Sequence, residues 1–489
     1  MKAQSPFVHK FQSLNRNYYI YDVWTNRVVR VNEIVYDLID DFGVLRYPEI
    51  IRKWMKKCPL SSIKSALTEI EIAQKKGLFL DKRFKQMVVP YDDIYLGNAI
   101  ASNIGYMIVN ITEACNMRCK YCAFSGTYKY ERPHSNRSMD EFILCKAVDY
   151  YLKHSQNSKI RGLSFYGGEP LLAFKKITAV QKILKAKDFE FRLDTNGLLL
   201  GKKEIVDFIV RHGIGMQVSL DGPAVYHDRY RVDINGKPTF SRIMSNLRYL
   251  AKIAPEYYKR NVSFAVTLSP DIDLEVLNEF FESNELVKGH TILVNFVKPF
   301  DTTFFEQFDD KVYTRRRKQY EKLEKNYIRC RVDGKEPTAF EKALFEKSLI
   351  KLHIRQLDDL CDLIGLNGCC IPGLRKIFVD TDGRFYPCER VMRAYNIGDV
   401  DRGIEIDKIM NIARGYVMES GGDCINCWAA KICEICFAAA VKNSVFDNER
   451  KKLNCARMLN AKHHELSIYA TIMEENPKAF DFTKDMVFI

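Results

Sequence analysis

Apolar residues fall in short bursts along this chain, and the interval between them changes twice. Residues 17–31 hold two β-rich runs, Tyr18–Val23 and Val28–Val31, around a Thr25-Asn26 turn. The spacing then turns helical. Asn32 is placed to cap a helix carrying Ile34, Leu38 and Ile39 on one face, and a short helix is expected over 47–57. A third helix starts at Ser61, places Ile63, Ala66, Leu67, Ile70 and Ala73 at helical intervals, and stops at Gly77. From about 105 short apolar runs alternate with amphipathic stretches. The expected strands are Tyr106–Ile111, Gly162–Tyr166, Glu190–Asp194, Met216–Leu220, Val262–Leu268 and Ile292–Val297. Their apolar character fits strands buried on both faces of a parallel sheet. Helices are expected near 139–155, 171–186, 202–212, 239–254 and 273–286, and six β/α units in series predict a partial parallel barrel. Residues 311–358 read as charged helix, with the run Arg315-Arg316-Arg317-Lys318 on a solvated face. From about 361 the pattern becomes irregular and rich in cysteine.

The expected fold class is therefore α/β, in four parts: a winged-helix-like module over 1–92, the partial barrel over 100–310, a helical linker over 311–360 and an irregular domain over 361–489. A length of 489 residues suits about three domains of roughly 150 residues each. With 47% hydrophobic and 12% aromatic residues, packed cores are expected rather than disorder. The N-terminus lacks an apolar signal-peptide core and no apolar run reaches about 18 residues, so a cytoplasmic protein without a membrane span is expected. The net charge of +13 suits an acidic partner, either nucleic acid or an acidic peptide. Fifteen cysteines in a long cytoplasmic chain point to metal rather than disulfides. Cys58, Cys145, Cys330 and Cys361 are isolated and read as small buried hydrophobes, Cys361 least firmly because it lies near a larger group.

The remaining cysteines cluster. Directly after the first barrel strand comes "ACNMRCKYCAF", with Cys115, Cys119 and Cys122. Sites in such folds gather at the carboxyl ends of the strands. Four thiolates complete a 4Fe–4S cluster, so three leave one iron open, as a catalytic metal site requires. A structural zinc would take four ligands. The second strand ends in "FYGGEP", where Gly167 and Gly168 remove side chains so that a ligand can lie on backbone and Glu169 can receive an ammonium group. The third ends in "DTNG" and the fourth in "SLDGP". Polar tips on successive strands make one site.

These motifs, over roughly 105–300, resemble the radical S-adenosylmethionine (SAM) superfamily. The resemblance implies a SAM-binding 4Fe–4S cluster on Cys115, Cys119 and Cys122. It implies reductive cleavage of SAM to a 5′-deoxyadenosyl radical that abstracts hydrogen from substrate. It puts Tyr121 against adenine, Gly167, Gly168 and Glu169 at the SAM amino end, Ser219 in contact with SAM, Arg231 on its carboxylate, and Asp194 and Asn196 nearby.

The C-terminal cysteines, with Cys370, Gly383 and Cys388 followed by Cys424, Cys427, Cys433, Cys436 and Cys455, are similar to the SPASM extension of radical SAM peptide-modifying enzymes. That resemblance implies two auxiliary 4Fe–4S clusters, three clusters in all. Cys424, Cys427, Cys433 and Cys455 would hold an outer one. Cys370, Cys388 and Cys436 would hold an inner one, with Cys369 or Cys361 as fourth ligand, or an open iron for a substrate thiolate. The final pair departs from the family, being C-x2-C rather than C-x3-C. Zinc ribbons are the alternative reading. Glu389, next to Cys388, stands where some relatives carry an acidic proton acceptor, and a solvated carboxylate fits equally well. The first 92 residues resemble a leader-peptide recognition domain, which adds a peptide strand to its sheet. The same fold can bind DNA, but no Arg-rich recognition helix stands out at 61–77. Together the resemblances imply a maturase that links a Cys sulfur to a carbon in a ribosomally made precursor peptide, supplied by an external electron donor of ferredoxin or flavodoxin type. Formylglycine formation of the sulfatase type and carbon–carbon cross-linking are the near alternatives. A non-catalytic zinc or electron-transfer protein with a DNA-binding head is the remote one.

Overall fold

A computed structural model describes residues 4–183, 189–366, 368–391, 394–443 and 445–486. Strands β1 (Val8–Gln12), β2 (Tyr18–Asp22) and β3 (Arg27–Val31) form an antiparallel sheet in that order. The sequence pattern missed β1 because its polar residues make long-range contacts: His9 stacks on Trp428 with ring centroids 3.5 Å apart. The β2–β3 turn is tight because Asn26 accepts a left-handed backbone, φ 59°, while its side chain takes a hydrogen bond from the Tyr21 hydroxyl at 2.6 Å. Helix α1 (Glu33–Leu38) is capped by Asn32, whose Oδ1 accepts from the Val35 amide at 2.9 Å. Helices α2 (Tyr47–Trp54) and α3 (Leu60–Lys75) complete the module. Ile20, Leu38, Trp54, Ile63 and Phe79 enclose a core of their own. The opposite sheet face, with Phe11, Tyr19 and Tyr21, belongs to the main core of the molecule. The module is thus seated on the body rather than tethered to it. Strand β4 (Gln86–Met87) adds a stitch by pairing in parallel with β11 (Leu363–Ile364).

After α4 (Asp93–Ser102) the β/α series runs β5 (Tyr106–Thr112), α5 (Glu141–His154), β6 (Gly162–Gly167), α6 (Phe174–Ile183), β7 (Glu190–Thr195), α7 (Lys203–Arg211), β8 (Gly215–Ser219), α8 (Ala224–Tyr230), α9 (Phe240–Ile253), α10 (Pro255–Asn261), β9 (Val262–Leu268), α11 (Leu274–Ser283) and β10 (Ile292–Phe296). All six expected strands form, parallel and side by side in sequence order. The helix expected over 171–186 begins as a 3-10 turn at Pro170–Ala173, and its last three residues, 184–186, lie outside the described residues.

One expectation needs correcting. The strands are not apolar on both faces. Met107, Val109, Leu163, Phe165, Leu193, Met216, Val218, Phe264 and Val266 are buried against the helices. Their neighbours Ile108, Tyr166, Asp194, Gln217, Ser219, Ser263, Ala265 and Thr267 are only half-buried. Register places Ser164 beside Arg192, Asp194 beside Gln217, and Gln217 beside Ser263, so one polar face runs across the sheet. Six strands do not close into a filled barrel, and the concave face is left only half-buried.

Beyond β10, α12 (Asp310–Val332), α13 (Ala339–Glu341) and α14 (Lys347–His353) pack on the body. In the Arg315–Lys318 run only Arg316 turns inward, donating to the Ser269 carbonyl at 2.8 Å, and the other three are exposed. After β11, the region expected to be irregular is more ordered than its sequence suggests. Strand β12 (Lys376–Val379) pairs in parallel with β5, and β13 (Arg384–Tyr386), β14 (Gly398–Asp399) and β15 (Gly403–Ile404) extend the same sheet to ten strands. Helix α15 (Ile406–Cys424), the small hairpin β16 (Val441–Lys442) and β17 (Val445–Phe446), and α16 (Asn448–Glu475) follow. The two long helices were hidden because their cysteines and charges break up the apolar stripe. Among the described residues no helix is long and apolar enough to cross a membrane.

Candidate functional site

The loop after β5 carries Cys115, Cys119 and Cys122, all free thiols and half-buried. Backbone amides already point at two of the sulfurs: Met117 N–H donates to Cys115 Sγ and Phe124 N–H to Cys122 Sγ, each at 3.4 Å. The loop is pinned from α8 and the segment behind it, since the Arg118 and Lys120 amides donate to the carbonyls of Val232 and Tyr230. The three thiols lie within electrostatic reach of one another and of Arg231. Burial pushes Cys115 up to about 11 and Cys119 to about 12, and the Arg231 cation opposes both shifts. Among the described residues no three His, Cys, Asp or Glu side chains converge on a single metal ion.

The "GGEP" turn differs from its sequence reading in physical cause. A Cβ on Gly167 would stand 2.1 Å from the Thr112 carbonyl oxygen, and one on Gly168 2.1 Å from that of Ala114. The glycines make room for the backbone of the thiol loop. The Gly168 and Glu169 amides donate to those same two carbonyls at 2.8 Å. Glu169 is fully buried and is not a free receptor for an ammonium group. Its Oε1 accepts from the Leu171 amide and the Thr195 hydroxyl, its Oε2 from the Asn196 amide at 2.8 Å. It therefore ties the ends of β6 and β7 together. Burial still outweighs these bonds and lifts its carboxyl to about 7.

Tyr121 is buried with Tyr230, Val297 and Phe304 in a small aromatic cluster that Cys119 adjoins. Its hydroxyl donates to Asp221 and accepts from Arg231 Nη1 at 2.8 Å. Arg231 is buried, 3.7 Å from the Asp221 carboxylate, and its Nε has no hydrogen-bond partner among the described residues. Asp221 also accepts from the Thr267 amide at 2.9 Å. A buried cation with an unused donor, facing three thiols, suits an anionic guest. Asp221, Tyr230 and Phe304 were not singled out from sequence, although the Asp lies in the quoted "SLDGP". Asn196 orients the thiol loop, donating to Asn116 Oδ1 at 2.8 Å and approaching Cys115 Sγ at 3.9 Å. Ser219 closes β8, half-buried, beside Ala265.

The C-terminal thiols sort into two groups. Cys427 and Cys433 lie within electrostatic reach of Cys424 and Cys455. Cys369 and Cys370 lie within reach of Cys436, and Cys388 within reach of Cys370. Cys369 thus joins the inner set, whereas Cys361 is exposed. Cys58, Cys145 and Cys330 are half-buried rather than core residues. Glu389 is neither a free base nor simply solvated. Both its oxygens are held by Lys376 Nζ, at 3.0 and 2.7 Å. It faces Asp194, whose carboxyl is raised to about 6 by burial and then by Glu389. Tyr166, at the end of β6, is within reach of Glu389, Asp194 and Cys122, so one wall links the thiol loop to the inner set.

Comparison with known proteins agrees with this geometry. Residues 109–281 match the Radical SAM superfamily model. The chain is 22% identical over 362 residues to a cysteine-type anaerobic sulfatase-maturating enzyme of Clostridium novyi, covering 70% of this chain and 88% of that one. It is 30% identical over 191 residues to the serine-type enzyme of Bacteroides thetaiotaomicron, 38% of this chain and 44% of that one. The solved structure of anSMEcpe with bound AdoMet superposes with a TM-score of 0.54 at 18% identity, covering 78% of this chain and all of the other, a likeness of fold. Residues 109–281 of this chain are a radical SAM domain.

Proposed function

We propose that the chain is a radical SAM maturase that joins a cysteine sulfur to a carbon within a precursor peptide, using SAM, three 4Fe–4S clusters and an external electron donor of ferredoxin or flavodoxin type. The observation that carries this reading is the pairing of β12 with β5. It sets the inner thiols and Glu389 against the mouth of the radical SAM domain, so that hydrogen abstraction and sulfur chemistry can share one chamber.

The residues fit the cofactors. Cys115, Cys119 and Cys122 would hold the SAM-binding cluster, the sulfurs of Cys115 and Cys122 already met by backbone amides. Arg231 offers its unpaired Nε to a carboxylate, and the Gly167–Gly168 turn brings backbone close to the loop. The inner and outer sets would hold the auxiliary clusters. Once bound, SAM and its cluster supply the one-electron cleavage that yields a hydrogen-abstracting radical. The chain's own part is to exclude water with the Tyr121 cluster and to hold the peptide against the polar wall. Lys376 holds both oxygens of Glu389, which would stand as the proton acceptor for the substrate thiol. A thioether would form with loss of one hydrogen atom from carbon, one proton from sulfur and one electron, and a cluster on the inner thiols would supply an acceptor for that electron. The leader would add a strand to the open edge of β3, with its apolar side chains beside Val29, Val31 and α3.

The relatives' names favour a second reading, oxidation of Cys or Ser to formylglycine. Co-expression with a cysteine-containing precursor and mass spectrometry separates the two. A thioether gives loss of two hydrogens, a thiol protected from alkylation and no aldehyde. An aldehyde captured by a hydrazine probe would replace the thioether reading with the second.

A further inference from the structure

Helix α16 buries two lysines, and they are treated differently. Lys462 is paired with two carboxylates, Glu434 at 2.6 Å and Glu465 at 2.8 Å. Lys451 is 2% exposed and has no carboxylate partner among the described residues. Its Nζ instead donates to Cys424 Sγ at 3.5 Å and lies 5.6 Å from the Tyr416 ring centre. It stands one helical turn before Cys455, on the same face, and Cys427 is also within its electrostatic reach. An ammonium group taken out of water needs a compensating anion, and a neutral thiol is a poor one. Cys424 Sγ is thus the hydrogen-bond partner that the fold gives the buried Lys451 ammonium group.

We infer that Lys451 sets the reduction potential of the outer auxiliary cluster through a charge-assisted N–H···S hydrogen bond to Cys424. This rests on the reading that Cys424, Cys427, Cys433 and Cys455 hold a 4Fe–4S cluster. The physics has one sign. Reduction adds negative charge to the cluster, a fixed cation nearby stabilises the reduced form more than the oxidised one, and the potential rises. A cluster held there would have a higher potential with Lys451 beside it than without it. Lys451 acts through the cluster sulfur and touches no substrate, so it is a positioning and tuning residue.

The test is potentiometric titration, followed by electron paramagnetic resonance, of the full chain reconstituted anaerobically with iron and sulfide. Lys451→Met should keep the outer cluster but weaken its reduction about tenfold, a fall of about 59 mV for one electron. Lys451→Arg should stay near the native value. If Lys451→Met cannot hold the cluster, Lys451→Gln, which retains a neutral donor, carries the same expectation of a lowered potential. An unchanged potential in a loaded neutral variant overturns the inference and leaves the functional reading standing. If replacing Cys424, Cys427, Cys433 and Cys455 together removes no iron from the chain, the cluster assignment falls and the inference with it.

Discussion

Arg231 and Tyr121, 110 positions apart in sequence, meet in a buried hydrogen bond of 2.8 Å that closes the aromatic side of the thiol loop. The bond leaves the Arg231 charge shared between Asp221 and whatever occupies the loop. Removing one partner of a buried ion pair is costly, about 3–5 kcal/mol, because the other charge is left uncompensated. Arg231→Met should therefore destabilise the chain by a few kcal/mol and weaken SAM binding at least tenfold. Adding Asp221→Asn should restore most of the stability and none of the affinity. Denaturant titration and calorimetric binding measure the two effects separately. Recovery of both together would show that Arg231 serves the fold alone.

Replacing Cys115, Cys119 and Cys122 together by Ala should abolish SAM cleavage under reducing conditions. Iron content should fall from about twelve to about eight atoms per chain, since the auxiliary sets are separate. Iron analysis and deoxyadenosine assay check this. Persisting cleavage refutes the assignment of the loop.

Gly168 is where the strand end and the thiol loop approach most closely. An added Cβ meets backbone, the Ala114 carbonyl oxygen at 2.1 Å, and backbone cannot swing aside. Gly168→Ala should cost about 1–3 kcal/mol and displace the loop. The outcome to look for is loss of the SAM-binding cluster with the auxiliary clusters intact, read by spectroscopy. An unperturbed first cluster would mean that the loop has slack the structure does not suggest.

These positions show what the sequence could and could not convey. The thiol trio and the six strands were legible because spacing and apolar runs are local signals. The expected grouping of Cys424, Cys427, Cys433 and Cys455 matches their mutual proximity, and the Asn32 cap forms as the sequence suggests. The backbone contact at Gly168 was not legible because the carbonyl it accommodates lies more than fifty residues away, on another strand end. Glu169 looked available because its three donors are supplied by the fold. The polar concave face was present in plain alternation, as in "VSFAVTL" over β9, but six parallel strands suggested burial on both sides. Lys451 was invisible for a different reason: one lysine in a charged helix gives no sign of which thiol it will meet.

Asp194 supplies a pH signature. Its carboxyl is raised from 3.8 to about 6, by burial first and by Glu389 second, with Arg192 and Lys376 opposing. Tyr106 and Tyr166 also face it. Between these two values the folded chain binds this proton more tightly than the unfolded one. Stability therefore falls as pH rises from about 4 to about 6, then levels off. The loss due to Asp194 should be about 1–3 kcal/mol, allowing for its partial contact with solvent. Asp194→Asn should remove that part of the slope, measured as the difference in unfolding free energy between the two ends of the window. An unchanged slope would mean that Asp194 is solvated.

The last prediction concerns the N-terminal module. Deleting residues 1–92 is a poor test of peptide recognition, because Phe11, Tyr19 and Tyr21 are part of the main core and their loss would expose it. The open edge of β3 offers a cleaner one. Val31 is half-buried at the end of β3, packed against the module's own core rather than the body. A leader strand laid along this edge would bring its apolar side chains beside Val31, and a carboxylate there would be desolvated without a partner. Val31→Asp should weaken precursor binding more than tenfold, while SAM cleavage without precursor and the melting temperature of the body stay near native. Because the chain carries a net charge of +13, the native affinity should also fall as salt is added. Fluorescence anisotropy with a labelled precursor, run at several salt concentrations, measures both. Equal affinity for native and Val31→Asp chains would mean that the peptide docks elsewhere, and β3 would then be an ordinary edge strand held off other sheets by Arg27 and Arg30.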